Sequence, residues 1–229
     1  MELPKATITA ALLAATAFVA GNAQATAVQY QYGTTFTGNG PSGSTPWITS
    51  TFDDGGSAGS IRLTMWLNGL TSPENVSGMY FNLDPALNPT SLSFSYVGTW
   101  STGPAADSIS TGTDGFKADG DGKYDILFSF PTGSGFDAGE KVVYDITGLS
   151  ALTANSFAYS SAPGSTSGGT GTYYAAAHVQ NTTAPDGSMS SGWVAASTPP
   201  STVPLPGAAW LFGSGLVGLA GFARRRRAG

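Results

Sequence analysis

Four segments of the chain alternate apolar and polar residues with a period of two. Consecutive side chains of a β-strand point to opposite faces, so this alternation predicts strands with one buried and one solvated face. In the first segment Trp66 is in phase with Arg62 and out of phase with the apolar residues, which predicts an exposed position for Trp66. The segments are residues 61–67, 92–96, 125–130 and 141–146.

Five further segments are weaker strand candidates, namely residues 28–37, 76–83, 156–160, 173–180 and 192–195. Gaps rich in Asp, Asn, Gly and Pro separate the candidates, as is typical of turns and loops. Eight or nine short strands at this spacing predict an all-β domain over residues 28–196, an antiparallel β-sandwich of jelly-roll-like form. No helix longer than one or two turns is predicted within this domain.

Residues 1–27 have the three-part order of a signal peptide, which predicts an N-terminal signal helix. Lys5 precedes an apolar stretch over residues 10–20, and two overlapping Ala-x-Ala patterns follow. Signal peptidase has pockets that exclude large side chains, so these patterns predict export by Sec-type machinery and cleavage after Ala25 or Ala27. The alternative is an alanine-rich helix buried in the domain.

Residues 203–229 combine a proline motif, an apolar stretch without a charged residue, and four arginines close to the C-terminus. About 20 apolar residues form a helix of about 30 Å, which matches a bilayer core and predicts a C-terminal transmembrane helix. The positive-inside rule keeps the arginines cytoplasmic and the domain outside. Residues 197–202, rich in Ser, Thr and Pro, predict a stiff stalk. The expected stop-transfer residues are Arg224, Arg225, Arg226 and Arg227.

This arrangement resembles the PEP-CTERM sorting domain, in which a Pro-x-Pro motif precedes a small apolar helix with a Trp and a closing arginine cluster. The residues at the motif are Val203, Pro204, Leu205 and Pro206, with Leu205 where the family has Glu. The resemblance implies processing by an exosortase, a membrane-embedded cysteine transpeptidase, in a Gram-negative bacterium, often one that makes exopolysaccharide. The prolines keep the motif extended, and an extended segment can enter a protease cleft.

Charge and cysteine content narrow the function classes. Residues 28–202 carry four cations and 13 acidic residues, a net charge of −9. Such a domain repels phosphate backbones, so nucleic acid is not an expected partner. The chain has no cysteine, which excludes a disulfide scaffold, a thiolate metal site and a cysteine nucleophile.

Asp119, Asp121 and Asp125 are the candidate metal ligands, with calcium as the candidate cofactor. Calcium loops use carboxylates at alternate positions of a tightly turning backbone, because their oxygens then converge on one cation. Against this, Lys123 stands where another ligand would help, and no glutamate closes the loop at the EF-hand distance. The alternative is a plain hairpin turn, since Asp and Gly favour turns by themselves.

An enzymatic function is not predicted. The only histidine, His178, lies on a predicted strand, and the sequence has no Gly-x-Ser-x-Gly elbow and nothing that places a serine beside it. Glu74 and Glu140 are the only glutamates of the domain, and no feature marks a carboxylate pair of the glycosidase kind. A secreted hydrolase stays as an alternative.

Trp66 is the candidate ligand-stacking residue, because an exposed indole suits a ligand or a partner. Trp47, Trp100 and Trp193 are further aromatic candidates, although aromatic residues of a sandwich more often fill its core. We expect a non-enzymatic exported protein of the surface or extracellular matrix, associated with the envelope, exopolysaccharide or a biofilm. A carbohydrate-binding module with the same terminal segments is the first alternative.

Overall fold

The computed structural model describes residues 25–119, 121–131, 135–163 and 173–204. These residues form thirteen β-strands and three short 3₁₀ helices, Pro89–Ser91, Gly98–Trp100 and Ala154–Phe157. The strands are β1 Thr26–Tyr32, β2 Thr34–Gly38, β3 Ile48–Asp53, β4 Ile61–Trp66, β5 Asn75–Phe81, β6 Ser93–Tyr96, β7 Ser108–Lys117, β8 Lys123–Ser129, β9 Phe136–Asp137, β10 Lys141–Thr147, β11 Ala175–Thr183, β12 Met189–Ala196 and β13 Ser201–Pro204.

The strands form two antiparallel sheets. Sheet A has the strand order β13-β1-β3-β4-β10-β6, and sheet B has the order β2-β12-β11-β5-β8-β7, with β9 paired to β5. Within the described residues, the only helical segments are the three 3₁₀ turns. The all-β class and the antiparallel β-sandwich predicted from the sequence are confirmed.

The core lies between the sheets and is rich in aromatic rings. Phe52 of β3 meets Phe81 of β5 edge to face, with ring centres 5.2 Å apart. Phe94 of β6 meets Phe128 of β8 in the same way at 5.4 Å. Edge-to-face contacts add to the hydrophobic gain from burying these rings, by about 1 kcal/mol each. Each pair joins one strand of sheet A to one strand of sheet B, so the rings hold the two sheets together.

The four strongly alternating segments all form strands, which are β4, β6, β8 and β10. Segment 28–37 forms two strands that belong to different sheets, β1 in sheet A and β2 in sheet B. Gly33 separates them, and its N–H donates to the Ala195 carbonyl at 3.2 Å. The chain therefore passes from one sheet to the other at this glycine.

The strand predicted over residues 156–160 is wrong, because this part of the chain contains the end of the 3₁₀ helix Ala154–Phe157. Thr153 and Ser156 form a capping box, in which each side chain bonds the other residue's backbone. Phe157 is fully buried and stacks on Phe52 with ring centres 4.1 Å apart. Local capping thus outweighs strand propensity here, and the turn contributes an aromatic ring to the core.

Strands β3 and β7 are not evident in the sequence, because neither shows a clear alternation of apolar and polar residues. On β3 a polar residue, Ser50, is fully buried on the inner face, where its hydroxyl donates to the Tyr32 hydroxyl at 3.3 Å. Strand β7 is mostly polar, and its register with β8 shifts between Thr111 and Phe116. Both strands are recognised only through their pairing with neighbours.

Strand β13 spans the sequence boundary between the predicted stalk and the predicted sorting motif. Ser201 and Thr202 come from the stalk, Val203 and Pro204 come from the motif, and all four pair with β1. Because β13 is an edge strand, it tolerates a proline that lacks an N–H donor. In this register Thr26 lies directly opposite Pro204.

The other terminal predictions lie outside the described residues. They concern residues 1–24, Leu205, Pro206, the apolar stretch and the arginines at 224–227. In the part of the chain that the structure describes, no helix has the length and apolar character needed to cross a bilayer. The signal helix and the transmembrane helix stay predictions.

Candidate functional site

The face of sheet A that points away from the core, hereafter the outer face, presents side chains in an ordered array. The register of β3, β4 and β10 aligns these side chains in three rows across the strands. All of them except Val143 are accessible to solvent. The rows are Thr49, Trp66 and Lys141; Thr51, Thr64 and Val143; and Asp53, Arg62 and Asp145.

Trp66 is the large aromatic residue of the first row. The apolar residues of β4 that point the other way are fully buried, whereas 47% of Trp66 is exposed. The exposure predicted from the alternation is therefore confirmed. Its cross-strand neighbours, Thr49 and Lys141, are polar, so the indole is the one aromatic group of its row.

Trp100 is a second exposed indole, and it reaches the outer face from a loop. It ends the 3₁₀ helix Gly98–Trp100 and has 56% of its surface exposed. The chain beyond this turn is attached to β10, because the Val143 N–H donates to the Ser101 hydroxyl at 2.9 Å. The Arg62 guanidinium carbon lies 4.5 Å from the centre of the Trp100 ring. Trp100 therefore belongs to the same surface as the third row.

Arg62 is fixed in its position by Asp145. Its Nε donates to Asp145 Oδ1 at 2.8 Å and its Nη2 donates to Asp145 Oδ2 at 3.0 Å. This bidentate hydrogen bonding raises the pKa of Arg62 above its ordinary value. Both side chains are about one-third exposed, so the pair contributes only modestly to stability, but its fork geometry sets the orientation of the guanidinium.

Trp66, Trp100, Arg62, Thr64 and Asp145 are hereafter called the aromatic face. Trp66 and Arg62 are four residues apart on one strand, a separation of about 13 Å. Thr64 lies between them with its hydroxyl on the same side. Two indoles on one face with hydroxyl, guanidinium and carboxylate groups near them can stack on flat apolar surfaces and hydrogen-bond polar edges. This combination suits an elongated ligand made of hydroxyl-bearing rings.

The other two tryptophans of the domain have different surroundings. Trp47 is partly buried against the core, and its Nε1 donates to the Gly43 carbonyl at 2.9 Å. Trp193 lies on sheet B and stacks on His178 with ring centres 4.3 Å apart. Both indoles have partners within the fold, so neither offers a free platform like that of the aromatic face.

The three candidate calcium ligands have separate surroundings. Asp119 is exposed, and its backbone carbonyl accepts a hydrogen bond from the Thr37 hydroxyl at 3.2 Å. Asp121 is fully buried and its Oδ2 accepts hydrogen bonds from the hydroxyls of Tyr124 and Ser161. Within the described residues, no group of three or more His, Cys, Asp or Glu side chains is arranged to hold a metal ion.

Asp125 is a buried acceptor for two separate segments, the loop after β5 and the irregular part of β7. Its Oδ2 accepts from the Leu83 N–H at 2.9 Å, and its Oδ1 accepts from the Asp114 N–H at 2.8 Å. Asp114 has a positive φ of 49°, a conformation uncommon for a residue other than glycine. Both oxygens of Asp125 thus bind backbone amides, which gives this residue a structural role.

His178 does have a serine beside it, contrary to what the sequence suggests. Ser77 of β5 lies across from β11, and its Oγ is 3.2 Å from His178 Nδ1. Burial lowers the pKa of His178, and the charge of Asp119 opposes this shift. Among the described contacts the ring meets Ser77, Gln180 and Trp193, and no carboxylate hydrogen-bonds it. The orienting acid of a catalytic triad is therefore missing from this arrangement.

No family model, no curated protein and no solved structure matches this chain. Of the residues of the aromatic face, Trp66 was predicted from the alternation and Trp100 was one of the further aromatic candidates, whereas the involvement of Arg62 was not predicted. The one sequence signal for Trp100 is its place in a polar run, residues 98–103, that has no apolar period.

Proposed function

We propose that this chain is an exported, non-enzymatic protein of the bacterial surface or extracellular matrix, and that its β-sandwich binds polysaccharide through the aromatic face. The observation that carries the binding function is the exposure of Trp66 and Trp100 on one surface of sheet A. Single exposed apolar residues are common on protein surfaces, but two exposed indoles on the same face of one sheet are typical of a binding surface.

The ligand that we propose is an uncharged polysaccharide. Residues 28–202 carry a net charge of −9, which disfavours an acidic polymer through long-range repulsion. At the aromatic face Arg62 is neutralised by Asp145. The indole rings stack on the apolar faces of sugar rings, and Thr64 and the Arg62–Asp145 pair hydrogen-bond the sugar hydroxyl groups.

The terminal segments support the export part of the proposal. The Ala-x-Ala patterns support export by Sec-type machinery followed by cleavage by signal peptidase, and the apolar tail with its arginines supports a transmembrane intermediate whose C-terminus is cytoplasmic. The resemblance of residues 203–229 to a PEP-CTERM tail makes an exosortase-like enzyme the proposed processing partner. The mature domain then remains at the envelope or enters the matrix.

Binding is tested by titrating the purified protein with neutral and acidic polysaccharides and measuring heat or gel retardation. We expect affinity for a neutral polymer, and a loss of affinity of about five- to tenfold in each of the variants Trp66→Ala and Trp100→Ala, since one stacking contact contributes about 1–1.4 kcal/mol. Met189→Ala is the matched control, because Met189 is 60% exposed but lies on sheet B. If all three variants bound with the affinity of the unmodified protein, the aromatic face would be refuted as the binding surface.

Sorting is tested by mass spectrometry of the C-terminus of the protein isolated from an exporting bacterium. We expect a chain that ends near the motif Val203, Pro204, Leu205 and Pro206. A chain that still ends in Arg227, Ala228 and Gly229 would contradict removal of the tail and indicate a permanent anchor.

The secreted hydrolase receives weaker support than binding. Its best candidate pair is Ser77 and His178, and no carboxylate orients the imidazole among the described contacts. The Ser77 hydroxyl also contacts Nδ1 of His178, whereas in a catalytic triad Nδ1 contacts the acid and the serine contacts Nε2. The candidate calcium ligands carry no proposal, because Asp121 and Asp125 accept hydrogen bonds within the fold.

A further inference from the structure

The first residue of β1 is bonded to the turn that follows β3. The Thr26 N–H donates to Asp54 Oδ1 at 2.8 Å, and the Asp54 N–H donates to the Thr26 carbonyl at 3.1 Å. These two reciprocal bonds extend the β1–β3 ladder by one step beyond the pair formed by Ala27 and Asp53. The backbone nitrogen of Thr26 is therefore held directly against a carboxylate.

The carboxylate of Asp54 accepts hydrogen bonds from three parts of the chain. Besides Thr26, its Oδ1 accepts from the Gly56 N–H at 2.9 Å and its Oδ2 accepts from the Ala154 N–H at 3.4 Å. In the described part of the chain, these donors are all backbone amides of β1, of its own turn and of the 3₁₀ helix that bears Phe157. A half-buried carboxylate whose hydrogen bonds all come from neutral donors is stabilised further when one of these donors becomes positively charged.

We propose that signal cleavage occurs between Ala25 and Thr26, and that the new α-ammonium group of Thr26 forms an ion pair with Asp54. This inference rests on the proposed export of the chain. Hydrolysis of the Ala25–Thr26 peptide bond consumes one water, leaves a carboxylate on Ala25 and an amine on Thr26, and the amine takes up a proton at neutral pH. The nitrogen atom that becomes charged is the one already bonded to Asp54.

The alternative cleavage after Ala27 conflicts with the fold. Ala27 is 4% exposed and lies between Asp53 of β3 and Val203 of β13. A chain that begins at Val28 loses these pairs together with the Thr26 pair, and Asp54 loses its partner on β1. Of the two cleavage sites that the sequence permits, only the one after Ala25 keeps the whole of β1.

The ion pair lies at the same end of sheet A as Val203 and Pro204, the first two residues of the sorting motif. Thr26 is opposite Pro204 and Ala27 is opposite Val203, and neighbouring strands are about 4.8 Å apart. The new N-terminus therefore fixes β1, the strand on which β13 depends. Signal removal at one end of the chain thus stabilises the segment that precedes the tail at the other end.

The cleavage site is tested by N-terminal sequencing and intact mass of the full chain after export in a Gram-negative host. A first residue of Thr26 is expected. A first residue of Val28 would overturn the inference while leaving the proposed export intact. An uncleaved chain that begins at Met1 would instead overturn the proposed export, so the two failures are distinguishable.

The ion pair is tested on the exported protein by comparing Asp54→Asn with the control Asp53→Asn. In both variants asparagine removes the charge and one of the two oxygen acceptors, so the pH dependence of the difference between them reports the charge. We expect Asp54→Asn to lower the Tm at pH 7 by about 3 °C more than the control. The difference should shrink as the pH rises beyond about 8, because the amine loses its proton there.

The control variant Asp53→Asn corrects for the effect of other charges near this site, because it removes one negative charge from the same cleft. Asp53, Arg62 and Asp145 line the adjoining cleft together with Asp54, whereas the described parts of β1, β13 and the 3₁₀ helix contribute no charged side chain. A Tm difference between the two variants that is absent at pH 7, or that stays constant with pH, would refute the ion pair.

Discussion

The guanidinium of Arg62 contacts the ring of Trp100 at 4.5 Å and at the same time forms two hydrogen bonds with Asp145. The three residues come from β4, from the turn after β6, and from β10. One salt bridge on the sheet thus orients an aromatic ring delivered by a loop. The aromatic face depends on this contact for one of its two indoles.

The coupling between Arg62 and Trp100 can be measured by a double-mutant cycle. We expect Arg62→Ala and Trp100→Ala to be non-additive by about 0.5–1 kcal/mol in the free energy of unfolding, the strength of an exposed cation–π contact. Urea denaturation of the two single variants and the double variant gives this value. Additive effects would show that the contact contributes nothing to stability.

Arg62→Ala should also weaken polysaccharide binding several-fold by releasing Trp100. Lys141→Ala is the matched control, since Lys141 is a cation of the same outer face that belongs to another row. Titration of both variants with a neutral polysaccharide distinguishes orientation of the ring from simple loss of positive charge. Equal losses in the two variants would contradict an orienting role for Arg62.

Asp125→Ala should destabilise the domain by about 3 kcal/mol. The substitution leaves the N–H groups of Leu83 and Asp114 without their acceptor, and an unpaired buried donor costs about 1–3 kcal/mol. Urea denaturation measures the change, with Asp107→Ala as the control because Asp107 is exposed. A loss below 1 kcal/mol would mean that water replaces the carboxylate at little cost.

A chelator should leave the Tm unchanged. Asp125 already accepts backbone N–H groups through both oxygens, and Asp121 Oδ2 accepts from the hydroxyls of Tyr124 and Ser161, so a calcium ion bound at these three oxygens would have to displace the donors. Thermal melts with EDTA and with added calcium measure the effect. A Tm that falls with EDTA and recovers with calcium would restore Asp119, Asp121 and Asp125 as ligands.

Stability should fall steeply above about pH 10. Burial raises the pKa of five tyrosines, so the folded chain keeps phenol protons that the unfolded chain loses above its ordinary pKa of about 10. The stabilisation is complete below that pH and is lost as the pH rises. The five residues are Tyr30, Tyr32, Tyr80, Tyr124 and Tyr144.

Tyr32→Phe isolates one part of this alkaline effect. Tyr32 is fully buried, and its replacement removes one raised pKa together with a hydrogen bond from Ser50. We expect the variant to lose stability with a shallower slope above pH 10, by up to about 1.4 kcal/mol per pH unit, and to share the wild-type slope between pH 6 and 8. Identical slopes above pH 10 would contradict the raised pKa.

Local patterns in the sequence determine which face of a strand is buried. Residues 61–67 and 141–146 predict β4 and β10 with the correct inner faces, and the same alternation predicts that Trp66 is exposed. The distribution of charge and the two terminal segments are likewise properties of the sequence alone. The predicted export and orientation rest on them, because export signals act on extended chain before it folds.

Only the tertiary structure decides which distant residues meet. The contact of Arg62 with Trp100, the position of Ser77 beside His178 and the bond from Thr26 to Asp54 all join strands or turns that are separate in sequence. The same holds for Asp119, Asp121 and Asp125, which are close in sequence but have different partners. Alternation of apolar and polar residues indicates which face of a strand is buried, but it does not indicate which strands pair with it or in what register. Those follow from packing between sheets, and packing creates the aromatic face.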